Sequence, residues 1–537
     1  MKKVSISIIS SLEKFFKEDK PCLAIDKATA LKNETYNFQV AIVSSEAMEN
    51  VTPGISGLNP SAVRVFDVGF IVGTSAWMEF QDDYYVSKEV REYPELLTAH
   101  EDGFSLVAGE TKCVFISVDC SALSVGTHEI RVVCGGEEAT LSLTVLPCEL
   151  VKNDLILTNW IHVDCICDQH GVEPFSDAFY AIFEKYLAWH VELGNNTAFT
   201  PIFTPPIDTA IGGERRTVQL VDVYVKDGKY SFGFDKLKQF IRFCSARGIV
   251  YFEFSQLFTQ WGAKSCPKIV ANTDEGEKKI FGWETDAECE EYKVFLGAFL
   301  PALRDEVYAL NLQDNVFLHI SDEPKEDAFA RYKNLATFVR EQARGLKILD
   351  TFSDVEFYKE GLVDIAAVTT KFAETFINEG LPCILYYCSV EFDGYLSNRF
   401  FWMPLQRTRV LGCQLYENNA LGFLHWGFNF YYNYLSKAKI NPYEITDAQG
   451  YFPSGDAYLV YPTENGVTPS IRLMTMKEAF QDYRALKTLE ALTDKAFVKS
   501  FLNGEGVRGL KEYPRSLEWH LAFREKLNAL IMENSKK

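Results

Sequence analysis

Two adjacent acids close an apolar run in the stretch Val316-Phe317-Leu318-His319-Ile320-Ser321-Asp322-Glu323-Pro324. The run has the length and composition of a buried β-strand, and the proline marks where the chain leaves that strand. A charge beside a core strand is normally paired or neutralised, and each of two neighbouring acids raises the pKa of the other. The stretch therefore predicts a protonated acid beside an ionised one, an arrangement suited to hydrolysis of a glycosidic bond.

Similar apolar runs lie on both sides of this stretch, and helix-like segments separate them. We predict strands at 155–164, 197–203, 249–258, 316–322, 348–353, 365–370, 382–389 and 421–429, with helical periodicity at 176–193, 234–247, 287–309 and 327–343. Apolar strands separated by helices are typical of a parallel sheet covered on both faces. Eight such units predict a (β/α)8 TIM-type barrel over residues 149–500. The competing fold, a doubly wound open sheet, lacks the expected Gly-rich phosphate turn.

The chain before the barrel has a different pattern. Residues 1–148 read as short strands with apolar side chains at every second position, and Gly135-Gly136 separates two of them as in a hairpin. Several such strands without helices predict an antiparallel β-sandwich, so the protein is multidomain. The remaining segment, 501–537, predicts a C-terminal helical extension packed on the barrel, with its helix from Leu517 to Met532.

The net charge, the N-terminal segment and the cysteine pattern indicate which partners and which cell compartment are expected. The 537 residues carry a formal net charge of −20, which disfavours nucleic acid and anionic membranes as partners. The N-terminal apolar stretch is short and has no small-residue cleavage site, so we interpret it as a first strand. The 13 cysteines are scattered without CxxC spacing, which favours reduced thiols in a cytoplasm. The oligomeric state is left open, with a homodimer as one option.

Polar and aromatic side chains follow several of the predicted barrel strands. Because strand ends of a (β/α)8 barrel meet at one face, these side chains are candidates for one pocket. We predict substrate contacts for Trp160, His162, Asp164, Trp261, Tyr387, Trp426 and Asn429. Tryptophan rings stack on sugar faces, although a single tryptophan is more often a core or interface residue. The polar members also suit hydrogen bonds to residues behind the pocket.

Other chemistries have less support in the sequence. His162, Asp164 and His425 invite a metal-hydrolase interpretation, but the predicted strands five to seven contain no histidine to complete a site. No GxSxG turn is present to carry a nucleophilic serine. We therefore predict neither a metal nor an organic cofactor.

With these motifs in view, the chain resembles glycoside hydrolase family 123. The resemblance rests on Ile320 to Pro324, on Gly422-Phe423-Leu424-His425-Trp426-Gly427-Phe428-Asn429-Phe430, and on Gly455-Asp456-Ala457-Tyr458-Leu459-Val460-Tyr461-Pro462 followed by Ser470-Ile471-Arg472-Leu473. It implies a β-sandwich followed by a catalytic barrel, and an exo-acting, retaining β-N-acetylgalactosaminidase that uses substrate-assisted catalysis. Loop segments 205–235 and 262–285 have no match in the resemblance.

The same resemblance implies roles for the two acids. Glu323 would be the general acid/base, and Asp322 would hold the 2-acetamido N–H and stabilise an oxazolinium-like intermediate. An ordinary retaining glycosidase needs a nucleophile about 5 Å from the acid, on the other side of the anomeric carbon. That requirement disappears when the substrate's own carbonyl oxygen attacks, so two acids on one strand end can have separate tasks.

Several alternatives remain open from the sequence alone. The acid pair also suits an exposed cap of the following helix, because acids favour helix N-termini. GlcNAc differs from GalNAc only at the C4 hydroxyl, so a β-N-acetylhexosaminidase or another sugar preference is the second enzyme hypothesis. A non-catalytic carbohydrate-binding protein and a metal-dependent amidohydrolase-like barrel are the remaining classes.

Overall fold

The computed structural model describes residues 3–21, 23–74, 79, 82–391 and 393–536. Its first part contains eleven strands: β1 (Val4–Ser10), β2 (Lys27–Leu31), β3 (Thr35–Ser44), β4 (Met48–Val51), β5 (Gly54–Ser56), β6 (Val63–Gly73), β7 (Arg91–Ala99), β8 (Phe104–Leu106), β9 (Thr111–Asp119), β10 (Gly126–Cys134) and β11 (Glu137–Leu146). The main sheets have the orders β1-β3-β9-β6-β7 and β2-β11-β10-β5, and β4 pairs separately with β8. The predicted sandwich is therefore confirmed.

Strand β3 shows how alternation builds this part of the molecule. Phe38, Val40 and Ile42 point into the core between the two sheets, whereas Ala41 packs in the core that includes the barrel helices. The sheet containing β3 is thus buried on both faces, because successive side chains point to opposite sides. One pairing departs from the prediction, since β2 and β11 run parallel.

The second part of the chain contains the strands β12 (Ile156–Asn159), β13 (Thr197–Thr200), β14 (Asp222–Lys226), β15 (Lys229–Gly233), β16 (Tyr251–Phe254), β17 (Ile269–Thr273), β18 (Gly276–Phe281), β19 (Val316–Leu318), β20 (Lys347–Phe352), β21 (Ile365–Thr369), β22 (Cys383–Tyr386), β23 (Gly422–His425), β24 (Val460–Thr463) and β25 (Gly466–Pro469). Strands β12, β13, β16 and β19 to β23 close into a parallel barrel, in which β12 pairs with β23. Each of the eight predicted strands overlaps one barrel strand. The two unmatched loop segments contribute the extra sheet β15-β14-β17-β18.

The helices are α1 (Val163–His170), α2 (Asp177–Leu193), α3 (Asp235–Ser245), α4 (Glu290–Ala309), α5 (Phe329–Gln342), α6 (Glu356–Lys359), α7 (Ala373–Asn378), α8 (Leu405–Arg409), α9 (Leu411–Glu417), α10 (Ile471–Leu492), α11 (Lys495–Gly504) and α12 (Leu517–Asn534). The first long one, α2, begins where the Ser176 hydroxyl accepts the Phe179 N–H and ends at Gly194 in the left-handed conformation. None of the helices in the described part of the chain is long and apolar enough to cross a membrane.

The last helix connects both parts of the molecule, because α12 contacts α10 and strand β2. Buried ion pairs reinforce this contact and the one between β7 and α10. Arg524 of α12 pairs with Glu34, and Arg472 of α10 pairs with Glu95 of β7. The proposed domain limits, 1–148, 149–500 and 501–537, remain a prediction. Among the described cysteines, none is in a disulfide.

Candidate active site

A cavity of about 130 Å³ opens at the carboxyl ends of the barrel strands. The lining residues lie at the ends of barrel strands and in the loops that follow them: Trp160, Ile207, Asp208, Gln260, Trp261, Asp322, Glu323, Thr351, Tyr386, Cys388, Ser389, Leu424, Trp426 and Phe452. This is the face of a (β/α)8 barrel where loops bring side chains from different strands together. The predicted acid pair and the three predicted tryptophans are all among the lining residues.

Both acids face the cavity because the chain has left the strand before it reaches them. Strand β19 ends at Leu318, four residues earlier than predicted, and Glu323 has a positive φ of 43°. That left-handed conformation is unfavourable for glutamate and persists only where the surroundings impose it. Thr351 at the end of β20 contributes, since its hydroxyl accepts the Glu323 N–H at 2.9 Å and donates to Asp322 Oδ1 at 2.9 Å.

A tyrosine hydroxyl contacts the second acid. Tyr386 donates to Glu323 Oε1 at 2.6 Å, from the last position of β22. The sequence predicted a substrate contact for its neighbour Tyr387 instead. The structure places Tyr387 on the other side of the strand, against Phe423 and His425. Adjacent strand residues point to opposite faces, so only one of the two tyrosines can line the cavity.

The two acids lie in surroundings that favour protonation. Burial raises the pKa of both carboxyl groups, and the charge of Glu323 raises the pKa of Asp322 further. The hydroxyls of Thr351 and Tyr386 act in the opposite direction, and no described cationic side chain lies within ion-pair distance of either acid. Two nearby buried carboxyls of this kind retain a proton at pH values where isolated carboxyls have lost theirs.

The three tryptophans differ in how they are held. Trp160 is 1% exposed, stacks on Phe199 with a ring-centre distance of 4.6 Å, and donates its indole N–H to Glu253. Trp426 donates its indole N–H to Asp456 at 3.3 Å. Trp261 is 42% exposed and has a φ of 57°, and its backbone N–H donates to the carbonyl of Asp322. The first two form the floor and wall, whereas the third stands at the mouth.

Three further predicted contacts are not among the lining residues. His162 donates its Nε2–H to the Trp426 carbonyl at 2.8 Å, and its backbone N–H donates to Asn429 at 2.8 Å. Asp164 forms a buried ion pair with Arg215 at 2.6 Å. His162, Asp164 and Asn429 therefore support Trp426 and the adjacent loops from behind. The structure places them behind the lining rather than in it, because helix α1 begins at Val163 and Asn429 is hydrogen-bonded to His162.

Sequence reasoning missed several lining residues, of which Asp208 carries the most chemistry. Asp208 has a φ of 40°, its N–H donates to Gln260 at 2.6 Å, and its Oδ2 accepts the Leu435 N–H. Burial raises its pKa to about 7. No motif surrounds Asp208 in the sequence, and its approach to the cavity depends on contacts with the distant segment 435–436. For Gln260, the sequence position next to Trp261 was a sign that it could lie at the cavity.

The buried histidines near the site already have hydrogen-bond partners in the protein. His425 Nδ1 accepts from the Gly427 N–H and from Arg399, so its lone pair is unavailable to a metal. His162 Nδ1 lies 3.3 Å from an Arg215 nitrogen. Within the described residues, no group of three or more His, Cys, Asp and Glu side chains has an arrangement that would hold a metal ion. The side chains that line the cavity supply carboxyls, hydroxyls, an amide, a thiol and aromatic rings.

Comparison with known proteins agrees with this geometry. The family model described as glycoside hydrolase 123, catalytic domain, matches residues 160–489. A family 123 glycoside hydrolase from Clostridium perfringens superposes with a TM-score of 0.73 at 14% identity, over 99% of this chain and 98% of that one. The two chains therefore share their fold along their whole length. A search of curated protein sequences finds no match.

More distant structures share only part of the chain. A family 5 mannosidase from Rhizomucor miehei is 11% identical with a TM-score of 0.33, over 61% of this chain and 92% of that one. A family 10 xylanase from Thermobacillus composti is 12% identical with a TM-score of 0.28, over 62% of this chain and 96% of that one.

Proposed function

The chain belongs to glycoside hydrolase family 123, and we propose that it removes terminal β-linked N-acetylgalactosamine from glycans with retention of configuration. The observation that carries this proposal is the placement of Asp322 and Glu323 in one turn, side by side on the same wall of the cavity. A conventional retaining enzyme needs its acid and its nucleophile on opposite sides of the anomeric carbon. Neighbouring acids suit a mechanism in which the substrate supplies the nucleophile.

In the proposed first step, Glu323 protonates the glycosidic oxygen. The carbonyl oxygen of the 2-acetamido group attacks the anomeric carbon, the bond to the leaving group breaks, and an oxazolinium ion forms. Asp322 accepts the N–H of the acetamido group and balances the positive charge that develops on it. In the second step Glu323 takes a proton from water, the water oxygen bonds to the anomeric carbon, and the ring of the intermediate opens.

The surroundings of the acids favour this division of tasks. The pair retains a proton because burial raises both pKa values. A bound acetamido N–H would donate to Asp322 and favour its ionised form, which directs the remaining proton to Glu323. Tyr386 occupies one oxygen of Glu323, so the other oxygen is available for proton transfer.

Asp208 is the other acid in the cavity lining, and its environment does not suit a nucleophile. Its pKa is raised to about 7 by burial, and its Oδ2 already accepts the Leu435 N–H. A protonated carboxyl is a poor nucleophile but a good hydrogen-bond partner for a sugar hydroxyl. Asp208 is therefore assigned to substrate binding, together with Trp261 and Trp426, whereas the buried Trp160 closes the floor of the cavity.

The adjacent acids of the cavity and the family membership support the proposed substrate class, glycans with a terminal β-linked 2-acetamido sugar. The solved family 123 enzyme from Clostridium perfringens is described in terms of glycolipid glycan hydrolysis. The cytoplasmic location and the oligomeric state remain predictions.

One comparison of substrates tests the proposal. Nitrophenyl β-GalNAc, β-GlcNAc and unacetylated β-galactoside are assayed in parallel, with a natural GalNAc-terminated oligosaccharide as the substrate with a poor leaving group. We expect hydrolysis of the acetamido sugars alone, and retention of configuration by NMR. Equal rates on the unacetylated galactoside would contradict substrate assistance, and preference for β-GlcNAc would establish the hexosaminidase alternative.

Two matched substitutions complete the test. Asp322→Asn should slow acetamido substrates severely, whereas Asp354→Asn, at an exposed position after strand β20, should leave the rate unchanged. An Asp322→Asn variant with normal activity would remove this residue from the mechanism.

A further inference from the structure

Three buried ionisable side chains lie beneath the cavity, on three neighbouring strands of the barrel. Glu253 belongs to β16, His319 follows β19 directly, and Asp350 belongs to β20. Their exposed fractions are 0%, 1% and 0%. His319 Nε2 lies 2.6 Å from Glu253 Oε1, and His319 Nδ1 lies 2.9 Å from Asp350 Oδ1. We call these three residues the buried triad.

The geometry favours a charged histidine. Each ring nitrogen faces a carboxylate oxygen, and an ionised carboxylate can only accept a hydrogen bond. With both carboxylates ionised, both ring nitrogens carry a proton and His319 is an imidazolium ion, although burial also raises the pKa of Asp350. Burial alone would lower the pKa of His319, but the hydrogen bonds and charges of Asp350 and Glu253 outweigh burial and raise it to about 10. The other buried histidines near the barrel, such as His190 and His425, have lowered pKa values.

The carboxylates of the buried triad also hold the two sides of the cavity. Asp350 Oδ2 accepts the backbone N–H groups of Ile320 and Ser321 at 3.1 and 3.0 Å, which are the peptide groups just before the acid pair. Glu253 accepts the indole N–H of Trp160 at 3.0 Å. The triad therefore connects the turn that carries Asp322 and Glu323 to the tryptophan on the cavity floor.

These contacts also explain why strand β19 is short. Ile320 and Ser321 give their N–H groups to Asp350 instead of a neighbouring strand, and the chain turns immediately afterwards. The Asp350 carboxylate is a strong acceptor for the N–H groups of such a turn. Its negative charge, however, raises the pKa of the nearby Asp322. The positive charge of His319 acts in the opposite direction and lowers the pKa of Asp322.

We propose that Glu253, His319 and Asp350 fix the position of the acid pair relative to Trp160. His319 stays positively charged, and its charge compensates the effect of the negative charge of Asp350 on Asp322. The groups that face His319 are the two carboxylates, the edge of the Trp160 ring at 6.0 Å between ring centres, and Asp322 at longer range. Tyr332 acts through Asp350, to which its hydroxyl donates at 2.6 Å. The kinetic part of this inference rests on the proposed function, whereas the charge of His319 does not.

The charge is tested on the wild-type protein by NMR of ¹⁵N-labelled histidine. We expect the ring nitrogens of one residue to have imidazolium shifts at pH 8, and His319→Gln to remove those signals. His190 supplies the neutral reference: it is also buried, its ring packs against Phe428, and among the described residues Nε2 has its hydrogen bond with the Asn159 carbonyl rather than with a carboxylate. A neutral His319 ring between pH 6 and pH 8 would overturn the proposal, whether or not the protein hydrolyses any sugar.

The positioning role is tested by kinetics on the preferred acetamido substrate. His319→Gln removes the positive charge, so we expect kcat to fall about 100-fold, as for small misplacements of reacting groups, with KM changing less. The acidic limb of the pH–rate profile should move to higher pH, since Asp322 then faces Asp350 without the offsetting charge. Tyr332→Phe is the matched control, because it removes one hydrogen bond to Asp350 without changing any charge.

For Tyr332→Phe we expect a loss below about tenfold, corresponding to one hydrogen bond, and an unmoved acidic limb. Equal losses in both variants with no shift of the limb would reduce the triad to ordinary packing and overturn the positioning role. If His319→Gln does not fold, Asp350→Asn replaces it, and the acidic limb should then move to lower pH because the charge that raises the pKa of Asp322 is removed. The NMR result on the wild type still decides the charge of His319. Absence of glycosidase activity in every protein, with an imidazolium signal present, would contradict the proposed function alone.

Discussion

The molecule buries acidic side chains in two ways, and the comparison separates its structural parts from its reactive part. Where the β-sandwich, the barrel helices and α12 meet, each buried acid faces a guanidinium group. Glu95 pairs with Arg472 at 2.6 Å, and Asp482 pairs with Arg409 at 2.7 Å and with Arg524 at 2.8 Å. In the cavity, the side chains of Asp322 and Glu323 accept hydrogen bonds from the hydroxyls of Thr351 and Tyr386, and neither forms an ion pair with a guanidinium group among the described residues.

The difference shows in the proton affinity of the acids. Burial raises the pKa of Asp482, but its two guanidinium partners outweigh burial and lower it, so this acid stays ionised. Asp322 and Glu323 lack such partners, and their pKa values are raised. A paired acid connects parts of the fold, whereas an acid that keeps its proton can donate it to a substrate.

The largest expected effect is on activity. Glu323→Gln removes the proton donor, and general acid–base catalysis contributes roughly 10²- to 10⁴-fold. We expect a loss of about 1000-fold in kcat on the natural oligosaccharide, with an unchanged circular dichroism spectrum and melting temperature. Substrates with activated leaving groups should lose less, since they need less protonation. Full activity of this variant on the oligosaccharide would show that the unpaired acids have no catalytic task.

The next effect is on stability, at the paired acids. Arg472→Met leaves Glu95 buried without its charge partner, which typically destabilises a protein by about 3–5 kcal/mol. Urea unfolding measures this loss. The control is Arg508→Met, which breaks an exposed pair with Glu512 and should cost less than about 0.5 kcal/mol. Similar losses in both variants would mean that burial of the charge is not what matters.

A smaller effect concerns the pH dependence of stability. Because the folded state raises the pKa of Asp322, this group stabilises the fold at pH values below its unfolded pKa of about 4, and that contribution is lost as the pH rises through the folded pKa. Asp322→Asn cannot titrate and does not lose stability in this way. The melting temperature of the variant minus that of the wild type should therefore increase from pH 5 to pH 8. A constant difference across that range would mean that the pKa of Asp322 is not raised.

The smallest effect concerns one hydrogen bond to Glu323. The Tyr386 hydroxyl lowers the pKa of Glu323, so Tyr386→Phe should raise that pKa. The general acid then stays protonated to higher pH, and the basic limb of the pH–rate profile moves upward. Tyr387→Phe, on the opposite face of the strand, should leave that limb in place. A shift of the basic limb to lower pH in Tyr386→Phe would mean that the Tyr386 hydroxyl does not lower the pKa of Glu323.

Much of the fold was predictable from the sequence, because apolar periodicity is a local property. Each predicted barrel strand overlaps an observed one, and the predicted helix 176–193 is observed as Asp177–Leu193. The hairpin at Gly135-Gly136 is present between β10 and β11. The site was less predictable, since the phase of side chains is lost where strands end. Tyr387 was chosen over Tyr386 for this reason, and Asp208 was missed because a distant loop positions it.

The sequence by itself therefore determined the order of sandwich and barrel, the strand that carries the acid pair, and the presence of aromatic residues around it. These properties follow from local composition and spacing, which the chain retains before it folds. Only the tertiary structure decided which acids meet a guanidinium group and which meet only hydroxyls. Partners such as Glu95 and Arg472 are hundreds of positions apart, so burial and charge pairing, and with them the proton affinity of each acid, arise only when the barrel closes.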